Sequence, residues 1–173
     1  MNKLKSIKSK IVSLNELKTI VQLWKSEHQQ IVFTNGCFDI IHRGHVEYLA
    51  ESADLGNKLI IAINSDSSVK RLDKGSSRPI QDEYSRALIV AAFKFVDAVV
   101  IFDEFTPLEL LQQIVPDVLV KGGDYDANCS IKSDKKYIVG ADIIKSNGGK
   151  VAVIKFVPGF STSKIEEKIK ACK

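Results

Sequence analysis

The segment Lys58-Leu-Ile-Ile-Ala-Ile-Asn64 constrains the fold more than any other part of the chain. Its apolar residues follow one another without polar alternation, so a strand built from them must be covered on both faces. That condition is met inside a parallel sheet flanked by helices. Ile31 to Phe33, Ala98 to Phe102, Asp117 to Lys121 and Lys150 to Val157 read as further strands. Helical spacing fills the gaps at Val46 to Ala53, Asp82 to Phe95, Pro107 to Val115, Tyr137 to Ser146 and Ser161 to Lys170. Gly56 is expected to close its helix in the left-handed conformation, and Tyr84, Leu88, Ala91 and Ala92 are expected on one face of theirs. The polar stretch from Ser65 to Pro79 reads as a long connection with one helical turn at Ser67 to Leu72. Ser13-Leu-Asn-Glu16 forms a capping box ahead of Leu17, Ile20, Val21 and Trp24, which predicts a helix of about 12 residues. Residues 1–28 are thus read as a lead-in helix and 29–173 as the domain.

Strands alternating with helices imply an α/β fold with a single doubly wound, mostly parallel five-stranded sheet, Rossmann-like in its winding. In such sheets ligands bind beyond the carboxyl ends of the strands, where the strand order reverses. The segments 34–45, 64–79, 121–125 and 158–163 lie there.

A chain of 173 residues suffices for one filled core. No apolar run approaches the roughly 20 residues of a membrane span, and MNKLKSIKSK lacks a secretory core. A cytoplasmic location without a membrane partner is expected. Cys37, Cys129 and Cys172 show no CxxC spacing and are expected as free thiols. The formal charge of +4 is mild, and its lysines alternate with acids along helices such as Lys164-Ile-Glu-Glu-Lys-Ile-Lys. These are solvated faces rather than a nucleic-acid stripe.

The chemistry concentrates in Thr34-Asn-Gly-Cys-Phe-Asp-Ile-Ile-His-Arg-Gly-His45, which holds two of the three histidines. It follows a strand, turns at Asn35-Gly36 and leads into a helix whose start offers N–H groups to an anion. His42 and His45 would stand one turn apart on one face, and Gly44 would leave room for a ligand. Two donors converging there suit negative charge developing on a phosphoryl group. A zinc pair has the right spacing, but a third ligand is missing.

The stretch GCFDIIHRGH resembles the signature of the nucleotidyltransferase superfamily with an HxGH motif, which contains the cytidylyltransferases. Together with RPIQDEYSRALIVAAFKFVDAVVIF, PDVLVKGGDY and GGKVAVIKFVPGFSTSKI, it is similar to the D-glycero-β-D-manno-heptose 1-phosphate adenylyltransferases, over about Ile31 to Ile169. In many such proteins this domain follows a sugar kinase, and the chain looks like the stand-alone form.

The resemblance implies direct attack of a sugar phosphate on the α-phosphorus of ATP, with release of pyrophosphate and no covalent enzyme intermediate. It places His42 and His45 on the nucleotide phosphates, with Mg²⁺ shielding the triphosphate. Thr34, Asn35, Gly36, Cys37, Phe38 and Gly44 would wrap the nucleotide. Ser161, Thr162 and Ser163 would hold its β- and γ-phosphates at a helix start, although a plain N-cap needs only one of them. Arg86 would face the nucleotide, the competing reading being a surface arginine paired with Asp82 or Glu83. Lys121 would contact a phosphate, most simply that of the sugar, beside Gly122. Asp39 would sit beside the acceptor or orient a neighbouring basic group. Asp124 would meet sugar hydroxyls or Mg²⁺. Asn64 and Asp66 would line the site, with Arg71, Lys74 and Arg78 recruiting anions. A homodimer is the expected assembly.

One departure separates the chain from the cytidylyltransferases, which carry an arginine-led stretch where Val157-Pro-Gly-Phe160 stands here. The role of the loop Ala127 to Lys136 is open. The alternatives are the same transfer with another base or acceptor, such as CTP with glycerol 3-phosphate or a GTP-using relative, and a nucleotide-binding module without catalysis.

Overall fold

The computed structural model describes residues 2–72 and 78–172; Lys74 lies outside them. Five strands, β1 (Ile31–Gly36), β2 (Lys58–Asn64), β3 (Ala98–Phe102), β4 (Val118–Gly122) and β5 (Lys150–Ile154), form one sheet in the order β3-β2-β1-β4-β5. Every pairing is parallel. The helices are α1 (Lys3–Lys8), α2 (Leu14–Ser26), α3 (Arg43–Ala53), α4 (Asp66–Arg71), α5 (Glu83–Ala91), α6 (Leu108–Ile114), α7 (Ala141–Ser146) and α8 (Thr162–Ala171).

The period of two in the strands divides the interior into two layers. Ile31, Phe33, Ile60, Ala62 and Leu119 pack with Leu17 and Val21 of α2, Leu111 and Ile114 of α6, and Ile144 of α7. Val32, Leu59, Ile61, Ile63 and Val120 pack with Leu49 of α3 and Ala87, Val90 and Ala91 of α5. The chain winds outward from β1 through β2 to β3, then crosses back to lay β4 on the other side of β1. The order therefore reverses between β1 and β4.

At that reversal the sheet parts. β1 pairs with β2 from Ile31 to Gly36, but with β4 only at Val32↔Val118 and Phe33↔Leu119. The Tyr48 hydroxyl enters the gap, sharing a 2.5 Å hydrogen bond with Thr34 Oγ1 and donating to the Val120 carbonyl at 3.4 Å. A side chain thus serves polar groups that a continued ladder would have served. Burial pushes the Tyr48 phenol up to about 12.

The structure corrects several expected boundaries. The first 28 residues hold two helices, and α2 puts Leu17 and Val21 into the main core. Val12 N–H donates to Val99 O at 2.9 Å and Val99 N–H to Lys10 O at 2.8 Å, so this segment covers the β3 edge. α5 ends at Ala91 and buries Arg86, Ala87, Val90 and Ala91, leaving Tyr84 exposed. The face is turned because an arginine takes a place that the apolar pattern could not assign to it. α7 begins only at Ala141, after Gly140 at φ +87°, and β5 stops at Ile154. No helix among the described residues is long and apolar enough to cross a membrane.

Gly56 is not left-handed; α3 is capped by Asp54 in the right-handed region. Gly56 serves close approach instead, since a Cβ there would stand 2.7 Å from both Gln30 O and Val32 Cγ2. Gly56→Ala is expected to destabilise the fold by about 1–3 kcal/mol through overpacking against backbone. Urea unfolding should show a lower midpoint at an unchanged m-value; an unchanged midpoint would remove this account of Gly56.

Candidate functional site

Beyond the carboxyl ends of the strands lies a cavity of about 820 Å³. β1 delivers Asn35 and Gly36 to its wall, β2 delivers Asn64 and β4 delivers Lys121 and Gly122. Across the crevice between β1 and β4, the Lys121 ammonium donates to Asn35 Oδ1 and lies 5.9 Å over the Tyr125 ring. This places a cation at the point where the strand order reverses.

Past β1 the chain turns through Phe38, whose φ of +49° is left-handed, a conformation costly for a residue with a Cβ. The strain is held by a dense set of contacts. Asp39, 2% exposed, accepts from the Ile80 and Gln81 backbone N–H groups at 2.9 Å and from Arg78 Nη1 at 3.2 Å. Arg86, 0% exposed, donates to Cys37 O at 2.6 Å, to Gln81 O at 3.0 Å and to Asp66 Oδ1 at 2.7 Å. The segment before α5 is therefore buttoned onto the motif loop from both ends.

His42 is the N-cap residue of α3 and makes no side-chain cap hydrogen bond. Its ring stacks on that of His45, with centroids 3.8 Å apart and planes at 19°. The edge of Phe38 closes on His45 at 5.4 Å. A Cβ on Gly44 would come within 3.2 Å of His42 Nδ1 and 3.3 Å of Phe160 Cβ, so Gly44 makes room for the histidine fold-over and for the approach to α8. Both Nδ1 atoms are buried without a hydrogen-bond partner among the described residues. Burial, reinforced by the neighbouring His42, pushes His45 down to about 4, and burial also lowers His42. Both shifts favour the neutral imidazole, which carries one N–H to donate.

α8 closes the cavity from the other side. Ser161 is its N-cap, accepting from Lys164 N at 3.2 Å, and Ser161, Thr162 and Ser163 all reach the cavity wall. Two helix starts, α3 and α8, therefore border one cavity, and each favours negative charge.

Of the residues singled out in the sequence, Asn35, Gly36, Cys37, Phe38, Asp39, His42, Gly44, His45, Asn64, Lys121, Gly122 and Ser161 to Ser163 come together here, with Arg78 among them. Five of the described ones do not reach the wall. The Thr34 hydroxyl is spent on Tyr48, Arg86 and Asp66 are paired with each other, and Asp124 is exposed beyond it. Arg71 instead holds Asp103. Arg86 acts on the site through the Cys37 carbonyl rather than from the wall. Sequence reasoning missed Tyr48, although its spacing of three from His45 puts it on the same helical face. It also missed Phe105 and Phe156, which line the cavity from loops without periodicity, whereas Tyr125 falls in the segment 121–125 expected there.

Among the described residues no group of three or more His, Cys, Asp or Glu side chains is placed to share a metal ion. The Asp39 carboxylate is already taken by two N–H groups and Arg78. The described residues therefore offer no ready-made cluster of protein ligands for a metal ion.

A sequence profile described as cytidylyltransferase-like matches residues 33–168. The bifunctional protein HldE of Campylobacter jejuni (strain 81116) is 54% identical over 161 residues, 93% of this chain and 32% of that protein. HldE of Azorhizobium caulinodans is 46% identical over 91% of this chain and 31% of that protein. The chain thus spans about a third of these relatives. Among solved structures, the lipopolysaccharide core biosynthesis protein of Thermoplasma volcanium is 28% identical, with a TM-score of 0.56 over 75% of this chain and 97% of that one. Pantoate-beta-alanine ligase of Francisella tularensis shares the fold at 14% identity, with a TM-score of 0.58 over 92% of this chain and 76% of that one. With the profile spanning the sheet from β1 to α8 and the two histidines stacked at the reversal of strand order, the chain belongs to the cytidylyltransferase-like family of nucleotidyltransferases.

Proposed function

We propose that the chain is an adenylyltransferase that joins ATP to D-glycero-β-D-manno-heptose 1-phosphate, giving ADP-heptose and pyrophosphate. The observation that carries nucleotidyl transfer is the stacked His42–His45 pair on the cavity wall beside two helix starts. The sugar assignment is supported by the HldE relatives, whose share of identity runs over nearly the whole chain, and by the structural neighbour in lipopolysaccharide core synthesis.

In this reading an oxygen of the sugar phosphate attacks the α-phosphorus in line. The new phosphorus–oxygen bond forms as the bond to the β-phosphate oxygen breaks, and pyrophosphate leaves with that electron pair. His42 and His45 donate to phosphate oxygens as charge builds on them, preorganised by stacking and by the Phe38 edge. Ser161 to Ser163 and the α8 start hold the departing phosphates. Lys121, held by Asn35, neutralises the incoming sugar phosphate. Mg²⁺ carried by the triphosphate would supply charge shielding there. A cytoplasmic location and a homodimeric state belong to the same reading and rest on family likeness.

Pyrophosphate release measured over a panel of nucleoside triphosphates and sugar phosphates tests the assignment. Turnover should be greatest with ATP and the β-anomer of heptose 1-phosphate; none with that pair would sink the assignment, and preference for CTP with glycerol 3-phosphate would favour the alternative. His42→Ala and His45→Ala should each lower kcat by about 100- to 1,000-fold, with ATP affinity changed much less. Activity equal to that of the parent chain would refute the donor role.

A further inference from the structure

The chemistry proposed above depends on α8 holding its first residues against the cavity, yet no residue of α8 is buried. An amphipathic helix without a buried apolar anchor opens easily unless something else ties it down. Near its start, Phe160 abuts Gly44, and the Arg43 guanidinium lies 5.5 Å over the Phe160 ring. One turn further in, Glu166 Oε1 stands 2.7 Å from Arg78 Nε. The two side chains are only 19% and 10% exposed, and the two atoms are shut off from water in a charge contact rather than an aligned hydrogen bond. The other arm of the same guanidinium donates to Asp39, the carboxylate that also receives the Ile80 and Gln81 N–H groups. A single arginine thus joins α8 to the loop that presents His42 and His45.

We infer that Glu166 is a positioning residue: through Arg78 it fixes the Ser161–Ser163 end of α8 relative to the histidine loop and so sets nucleotide affinity. This inference rests on the nucleotidyl-transfer reading. Electrostatics alone argues the other way. Asp39 and Glu166 place two negative charges around one guanidinium, beside a cavity that takes a polyanion, so Glu166 weakens ATP binding unless its geometric role prevails. The two effects have opposite signs, and substitution separates them.

The test is ATP binding by calorimetry and steady-state kinetics on Glu166→Gln and Glu166→Ala, with amide exchange of α8 followed without nucleotide. Positioning predicts that Glu166→Ala raises both Kd and KM for ATP about tenfold while kcat stays within about twofold, and that α8 amides exchange about tenfold faster. Glu166→Gln, which keeps an acceptor for Arg78, should show a smaller effect in the same direction. In an Arg78→Lys background the Glu166→Ala effect should shrink, because the two act as one unit. ATP affinity unchanged or tightened in Glu166→Ala would overturn the inference, as would unaltered exchange in α8. A parent chain that binds no ATP, while Glu166→Ala still loosens α8, would instead overturn the nucleotidyl-transfer reading and leave the tether supported.

Discussion

The molecule is organised around the place where β1 and β4 stop pairing. Two residue pairs hold these strands together, at Val32↔Val118 and Phe33↔Leu119, and beyond them the backbones separate. A parted sheet leaves polar backbone groups to be served, and leaving them unserved in a buried place is costly. The Tyr48 hydroxyl bonds Thr34 and Val120, and the Lys121–Asn35 contact spans the mouth of the same gap. The crevice that admits a ligand is therefore also what requires these residues.

Around that crevice burial favours the neutral form of both histidines. Stacking two imidazoles at 3.8 Å would be repulsive if both were charged, so the geometry and the burial act in the same direction. Both rings stand on the cavity wall, held by their stacking before any ligand arrives, and donors held in this way are preorganised in the sense that serves a transition state. The left-handed Phe38 is a cost of the same loop, and the contacts of Asp39, Arg78 and Arg86 hold it in place.

Much of this was legible in the sequence, because it depended on periodicity and local spacing. The uninterrupted Lys58 to Asn64 run specified a strand buried on both faces, and the structure gives it 0% exposure from Ile60 to Ile63. The pairing of His42 with His45 followed from one helical turn. What escaped reading depended on long-range partners. Arg86 is buried because Cys37, Gln81 and Asp66 surround it, three positions that no local pattern connects to it. Asp66 was drawn from the cavity by that same arginine. Glu166 and Arg78 are 88 positions apart in numbering, and each alone looks like a solvated charge. α1 lies in a lysine-rich stretch whose pattern carries no buried stripe, and it has no buried residue.

The central claim is that His42 and His45 wait as a neutral donor pair for phosphate oxygens. Long-range ¹H–¹⁵N spectra of the imidazole nitrogens, recorded from pH 4 to 8 with and without ATP, address it directly. Without nucleotide the account predicts His45 neutral throughout the range above its depressed value near 4. With ATP, negative charge nearby should raise both titrations and shift the donating nitrogens. Histidines already charged at pH 7 in the free protein, or resonances unmoved by saturating ATP, would contradict the account.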